Sequence, residues 1–307
     1  MKFFPHALVY LDILGFCNFV EEAETDQDKL KSLDKLFNEV IPREISMEGK
    51  NLAFPKDLGL QYLSCSDSIV ISAPVTETAP YPPIVAVSIK SIQIAHALLD
   101  MGFLVRGAIS QGNVYRTDSN ILGTGFQEAV KAEKNTGNPK IILTDSAEKA
   151  INDLIEKGYT RYSIFAKDEI DQVILNSLHP EKRYLPDPEG EITEYFGRYR
   201  ETILNNLSND NHSVKEKWHW FAILFEANVN YFSDLKRTVP SLSINGKLPI
   251  VTLNYLNPPE TDQNWFESFK TPGFSLRFRK TGEEPPSHQR GEVSSTPLDL
   301  LKDPENI

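Results

Sequence analysis

Two aspartates constrain this chain more than any other residues. Asp12 lies within Ala7-Leu8-Val9-Tyr10-Leu11-Asp12-Ile13-Leu14-Gly15-Phe16, and Asp67 within Gln61-Tyr62-Leu63-Ser64-Cys65-Ser66-Asp67-Ser68-Ile69-Val70-Ile71-Ser72. Both stretches read as core strands, where a carboxylate costs several kcal/mol unless a cation meets it. A fold that brings the two together creates a place suited to a hard divalent cation and a phosphate ligand.

Charge and composition narrow the partners. The net charge of -11 argues against non-specific binding to nucleic acid or to an anionic membrane, both of which need a basic surface. It is compatible with a phosphate ligand, because a bound metal inverts the local balance. The 307 residues, 40% hydrophobic and 24% charged, allow a folded core in one large domain or two modest ones. The two cysteines, Cys17 and Cys65, sit in apolar surroundings and read as buried free thiols in a reducing compartment. Pro5, His6 and Asp12 break the N-terminal apolar run, so no signal peptide or membrane span is expected, and a cytoplasmic placement is expected with it.

The periodicities give an order of elements. Strands are expected at 7–13, 58–63, 68–73, 103–109 and 141–144, with Val114 and Tyr115 as a hairpin partner and a last strand at 162–165. Helices are expected at 27–40, 82–101, 123–133 and from Asp145 or Ser146 to Gly158, the second opened by Pro82-Pro83 and ended by Gly102. Asp67 falls at or near a hairpin tip. The order predicts an α+β sheet with helices on one face over residues 1–180. Two longer helices, 191–207 and 214–235, predict a helical extension over 181–240. Residues 241–307 read as an irregular tail, rich in Pro, Gly, Ser and charge from about Pro258. His96, on an apolar helix stripe, reads as a core residue, and His219 beside Trp218 and Trp220 as part of helix packing.

Several segments together resemble the class III nucleotidyl cyclases. Tyr10-Leu11-Asp12-Ile13-Leu14-Gly15-Phe16 is similar to the family's first motif, and Ser66-Asp67 to its Gly-Asp hairpin. Arg106-Gly107-Ala108-Ile109-Ser110-Gln111-Gly112 and Gly123-Thr124-Gly125-Phe126-Gln127-Glu128-Ala129 are similar to the third block. The resemblance spans about residues 5 to 170, in the family's order. Within it, Ser66-Asp67-Ser68-Ile69, Arg106-Gly107-Ala108-Ile109-Ser110 and the helix from Gly123 to Glu133 look most like the pyrimidine cyclases of bacterial Pycsar anti-phage systems.

The resemblance implies a ferredoxin-like palm sheet and a homodimer with its sites at the interface. It implies two ions, Mn2+ or Mg2+, held by Asp12, Asp67 and the Ile13 carbonyl. Backbone N–H groups of Leu14, Gly15, Phe16 and Cys17 would face the triphosphate. Asn120 and Leu63 occupy the family's base-reading positions, where neither matches the purine pattern; Tyr62, next to Leu63, is expected to contact the base instead if the strand register allows it. Gln127 and Lys131 stand where the family carries Asn and Arg, and a spacing of four puts them on one helix face. The implied substrate is UTP, with cyclic UMP as product, and CTP is the rival. Arg106 is expected to pair with an acid. A catalytically silent nucleotide-binding or dimerisation module of the same fold is the alternative.

Overall fold

The N-terminal apolar run forms β1 (Phe4–Leu14), and the sheet is built outward from it. In this computed structural model, residues 2–43, 45–46, 53–54, 59–76, 82–157, 164–168, 170–187, 189–242 and 254–256 are described. After β1 come α1 (Phe16–Ala23), α2 (Gln27–Lys35, extended by a π turn over Leu36–Val40) and the short pair β2 (Ile45–Ser46) and β3 (Ala53–Phe54). The hairpin β4 (Gln61–Cys65) and β5 (Ser68–Pro74), the core helix α3 (Pro83–Asp100) and the long strand β6 (Leu104–Arg116) follow. Next are β7 (Ile121–Leu122), α4 (Thr124–Lys134), β8 (Ile141–Leu143), α5 (Asp145–Glu156), β9 (Phe165–Lys167) and β10 (Val173–Leu175). Helices α6 (Ile192–Leu207), α7 (His212–Tyr231), α8 (Ser233–Thr238) and strand β11 (Asn254–Tyr255) complete the described chain.

The strands lie in the order β11-β9-β10-β8-β6-β1-β5-β4, with β7 paired to β6. Within it, β6-β1-β5-β4 is antiparallel throughout and is joined through helices as a βαββαβ unit, the ferredoxin-like arrangement expected of the α+β chain. β8 joins β6 in parallel. β1 is central and covered on both faces, which is why its sequence is nearly all apolar. Ala7, Val9, Leu11 and Ile13 face the main core with α3 and α5, while Leu8 and Tyr10 face the other side. α3 is long and apolar enough to cross a membrane, yet 89% of it is buried inside the protein.

One helix departs from the expectation of a single covered face. α4 packs on the side of Leu8, Ala108 and Val114 through Ala129. Two glycines allow this approach: a Cβ on Gly112 would stand 2.9 Å from the Gly125 Cα. The Ser110 hydroxyl donates to the Gly125 carbonyl at 2.8 Å and pins the contact.

The element boundaries otherwise follow the sequence closely, with four corrections. Val114 and Tyr115 continue β6 instead of folding back, because Phe4 extends β1 far enough to pair with Val114. Cys17 and Cys65 are free but exposed, Cys17 on the first turn of α1 and Cys65 at the end of β4, which is the edge of the sheet among the described residues. His219 is exposed, on the outer side of α7. Asn254 and Tyr255, within the stretch expected to be irregular, add an edge strand to β9. The expected strand positions Leu58 and Tyr162, the helix end Gly158 and the tail from residue 257 lie outside the described residues.

The extension helices gather a second apolar cluster around Phe196, Tyr199, Phe221 and Phe225, which joins α3 through Leu99 and the sheet through Leu104. His96 anchors α3 to it. Its Nδ1 lies 3.1 Å from the Tyr199 hydroxyl and its Nε2 lies 3.2 Å from the His179 carbonyl. Complete burial pushes the imidazole down to about 4, so His96 is a neutral packing residue and not a base.

Candidate active site

The end of β1 carries the first aspartate to the second. Asp12 pairs across with Ser68 on β5 and Arg106 on β6, and the Ile13 N–H donates to the Asp67 carbonyl at 2.9 Å. In a strand, the N–H and C=O of one residue leave by the same edge. The Ile13 carbonyl therefore points toward the hairpin that bears Asp67. The turn of that hairpin is Ser66-Asp67, with Ser66 held at φ 55. This left-handed conformation is one that Gly adopts freely and Ser does not.

A network of charges surrounds Asp12. Arg106 Nε donates to Asp12 Oδ2 at 2.9 Å, and Glu133 Oε1 from α4 stands 2.6 Å from the same nitrogen. Only 15% of the Asp12 side chain and 4% of the Glu133 side chain are exposed. Burial lifts the Asp12 carboxyl above its ordinary range, Arg106 opposes the shift, and the nearby negative charge of Asp67 adds to it. Glu133 is raised for the same leading reason, with Arg106 again opposing and Asp12 adding. Tyr10 lies on the same face, its hydroxyl 2.7 Å from Ser68 Oγ and its ring edge-on to Phe126.

Beyond Asp12 the backbone makes a sharp entry into α1. Gly15 adopts φ 80, ψ 7 as the residue before the helix, and no side chain caps it. The first N–H groups of α1, from Phe16 and Cys17, thus have no intrahelical acceptor and suit an anion. The Phe16 side chain turns inward against Phe37 and Phe103. Leu14 still belongs to β1, paired with Leu104.

Two carboxylates and a carbonyl form an all-oxygen donor set, which fits Mg2+ or Mn2+. Among the described residues no group of three or more Asp, Glu, His or Cys side chains can enclose an ion. Mg2+ is typically held by one or two carboxylates with substrate phosphates and water filling the remaining positions, and Asp12 and Asp67 meet that requirement.

The other expected site residues divide. Leu63 pairs with Val70, the partner of Tyr10, and so lies on the Asp12 face. Tyr62 pairs with Ile71 and packs into the main core on the opposite face, with Lys90 above its ring. That register removes Tyr62 from base contact in this site. Asn120 sits in the turn between β6 and β7, roughly 35 Å along the strand from Arg106 at ~3.3 Å per residue. Gln127 and Lys131 are exposed on the outer side of α4, away from Asp12 of their own chain. One chain therefore brings together Asp12, Asp67, Ile13 and the Gly15 turn, and leaves Asn120, Gln127 and Lys131 facing outward. Sequence reasoning did not give Glu133 or Tyr10 a role in the site. Their contacts join distant stretches of chain, and no local pattern announces them.

No family model and no curated protein matches the sequence. Similar solved structures include the monomeric guanylyl cyclase domain of the RhoGC fusion protein from the aquatic fungus Blastocladiella emersonii. It is 13% identical, with a TM-score of 0.37, and the match covers 57% of this chain and 96% of that one. The adenylate/guanylate cyclase/hydrolase from Silicibacter pomeroyi is 14% identical, with a TM-score of 0.36 and coverage of 57% and 95%.

Proposed function

We propose that this chain is a nucleotide cyclase that converts UTP into cyclic UMP and pyrophosphate, as a second messenger in anti-phage defence. One observation carries the chemistry: β1 and the β4–β5 hairpin bring Asp12 and Asp67 within electrostatic reach, beside an uncapped helix start. When bound, two Mn2+ or Mg2+ ions on Asp12, Asp67 and the Ile13 carbonyl supply charge neutralisation of the triphosphate and activation of the ribose hydroxyl. The ribose 3′-hydroxyl gives its proton to solvent water as its oxygen attacks the α-phosphorus in line and displaces pyrophosphate. The N–H groups after Gly15 hold the polyphosphate, and positioning with charge stabilisation provides most of the rate. Arg106 holds Asp12 in place while the divalent ions are absent.

The exposed face of α4 supports a homodimer in which Asn120, Gln127 and Lys131 of one chain complete the site of the other. The proposed setting is the cytoplasm, without nucleic acid or membrane, in keeping with the net charge of -11. The apolar Leu63 on the Asp12 face and the amide of Asn120 favour a pyrimidine; CTP, giving cyclic CMP, is the nearest rival. Lys131 keeps a positive charge but lacks the guanidinium fork, which also keeps a binding module without turnover in view.

The test incubates the full chain with each nucleoside triphosphate and Mn2+ and identifies products by mass spectrometry. Cyclic UMP is expected, and Asp12→Ala should lower its formation by on the order of 100-fold or more. Full turnover by Asp12→Ala, or no cyclic product from any triphosphate, defeats the proposal.

A further inference from the structure

The helical extension places a lysine at this same site. Val214, Trp218 and Phe221 of α7 belong to or pack against the extension's apolar cluster. Lys217, three residues after Val214 and four before Phe221, shares their side of the helix. It is half-buried, whereas Lys215, Glu216 and His219 are exposed. The same cluster receives Leu14, two residues past Asp12 on β1, and Leu104, two residues before Arg106 on β6. The extension is thus seated on the end of the strands where Asp12, Arg106 and the Gly15 turn lie. The positive charge of Lys217 reaches Asp12 and favours its ionised form.

The two cations near Asp12 differ in one respect. Arg106 is engaged by Asp12 and Glu133 together. Lys217 has no ion-pair partner among the described residues. A half-buried ammonium without a carboxylate of its own has charge to offer a ligand, and a lysine binds phosphate as a compact point charge.

We infer that Lys217 is a polyphosphate-binding residue, reaching from the helical extension to the nucleotide held by Asp12 of the same chain. The inference deepens the cyclase proposal and rests on it for the presence of a triphosphate. It makes the extension a wall of the site.

The test measures binding of inorganic tripolyphosphate, with Mn2+ present, to the full chain by calorimetry. Lys217→Ala should weaken binding by about 10-fold, the loss of one charge-assisted contact. Lys217→Arg should stay within about 3-fold of wild type, since the charge remains. Lys215→Ala, on the exposed side, should bind as wild type. Mn2+ alone should bind Lys217→Ala at least as tightly as wild type, because a repelling charge has gone. Unchanged tripolyphosphate binding by Lys217→Ala overturns the inference, as does loss of Mn2+ binding together with a lowered Tm, which marks a structural role. If wild type itself binds no tripolyphosphate, the cyclase proposal falls and takes the inference with it.

Discussion

At the scale of single residues, the site is a balance of charges that the fold tolerates only because they are paired. Removing Arg106 leaves Asp12 and Glu133 facing each other in partial burial. Arg106→Ala should therefore destabilise the metal-free chain by about 3 kcal/mol, read from urea unfolding. The pH dependence has a definite sign. Asp12 and Glu133 are held above their ordinary values, mainly by burial, so the folded chain binds these protons more tightly than the unfolded one. Their contribution to stability is complete below the ordinary carboxylate range and is lost as pH rises through the raised values. Asp12→Asn, which cannot ionise, should gain on wild type as pH rises through that window, and the two should converge in acid. Ser66 offers a separate test. Its left-handed turn should relax in Ser66→Gly, with a gain of about 1 kcal/mol and no change in the position of Asp67.

Secondary-structure elements were readable where their periodicity is local. The strand around Asp12, the helix opened by Pro82-Pro83 and the hairpin ending at Asp67 all appear near their expected bounds, because short apolar runs and turn residues fix them. Which face each residue takes was less legible. Tyr62 and Leu63 are neighbours in sequence, and only the register with β5 decides that Leu63 shares the Asp12 face and Tyr62 does not. The position of α4 depends on Gly112 meeting Gly125, a contact between elements that periodicity does not encode. Adding a methyl there forces helix and strand apart. Gly125→Ala should cost about 1–3 kcal/mol in thermal or urea unfolding and displace Glu133 from Arg106.

At the scale of the whole molecule, Asp12 is partly buried at the end of β1, while Gln127 and Lys131 lie exposed on α4 of the same chain. The proposed dimer predicts complementation. Asp12→Ala and Lys131→Ala chains, each weak alone, should regain about a quarter of wild-type cyclase activity when mixed and allowed to exchange, since random pairing leaves that share of sites intact. A mixture no more active than its parts would place all the chemistry in one chain.

The two exposed thiols bring a consequence of their own. One follows Asp12 at the start of α1 and the other precedes Asp67 at the end of β4, so the molecule already carries a chemical probe beside each half of its proposed clamp. Alkylation kinetics at Cys17 and Cys65 can therefore report occupancy of the unaltered protein, as a footprint taken without dye, tag or substitution.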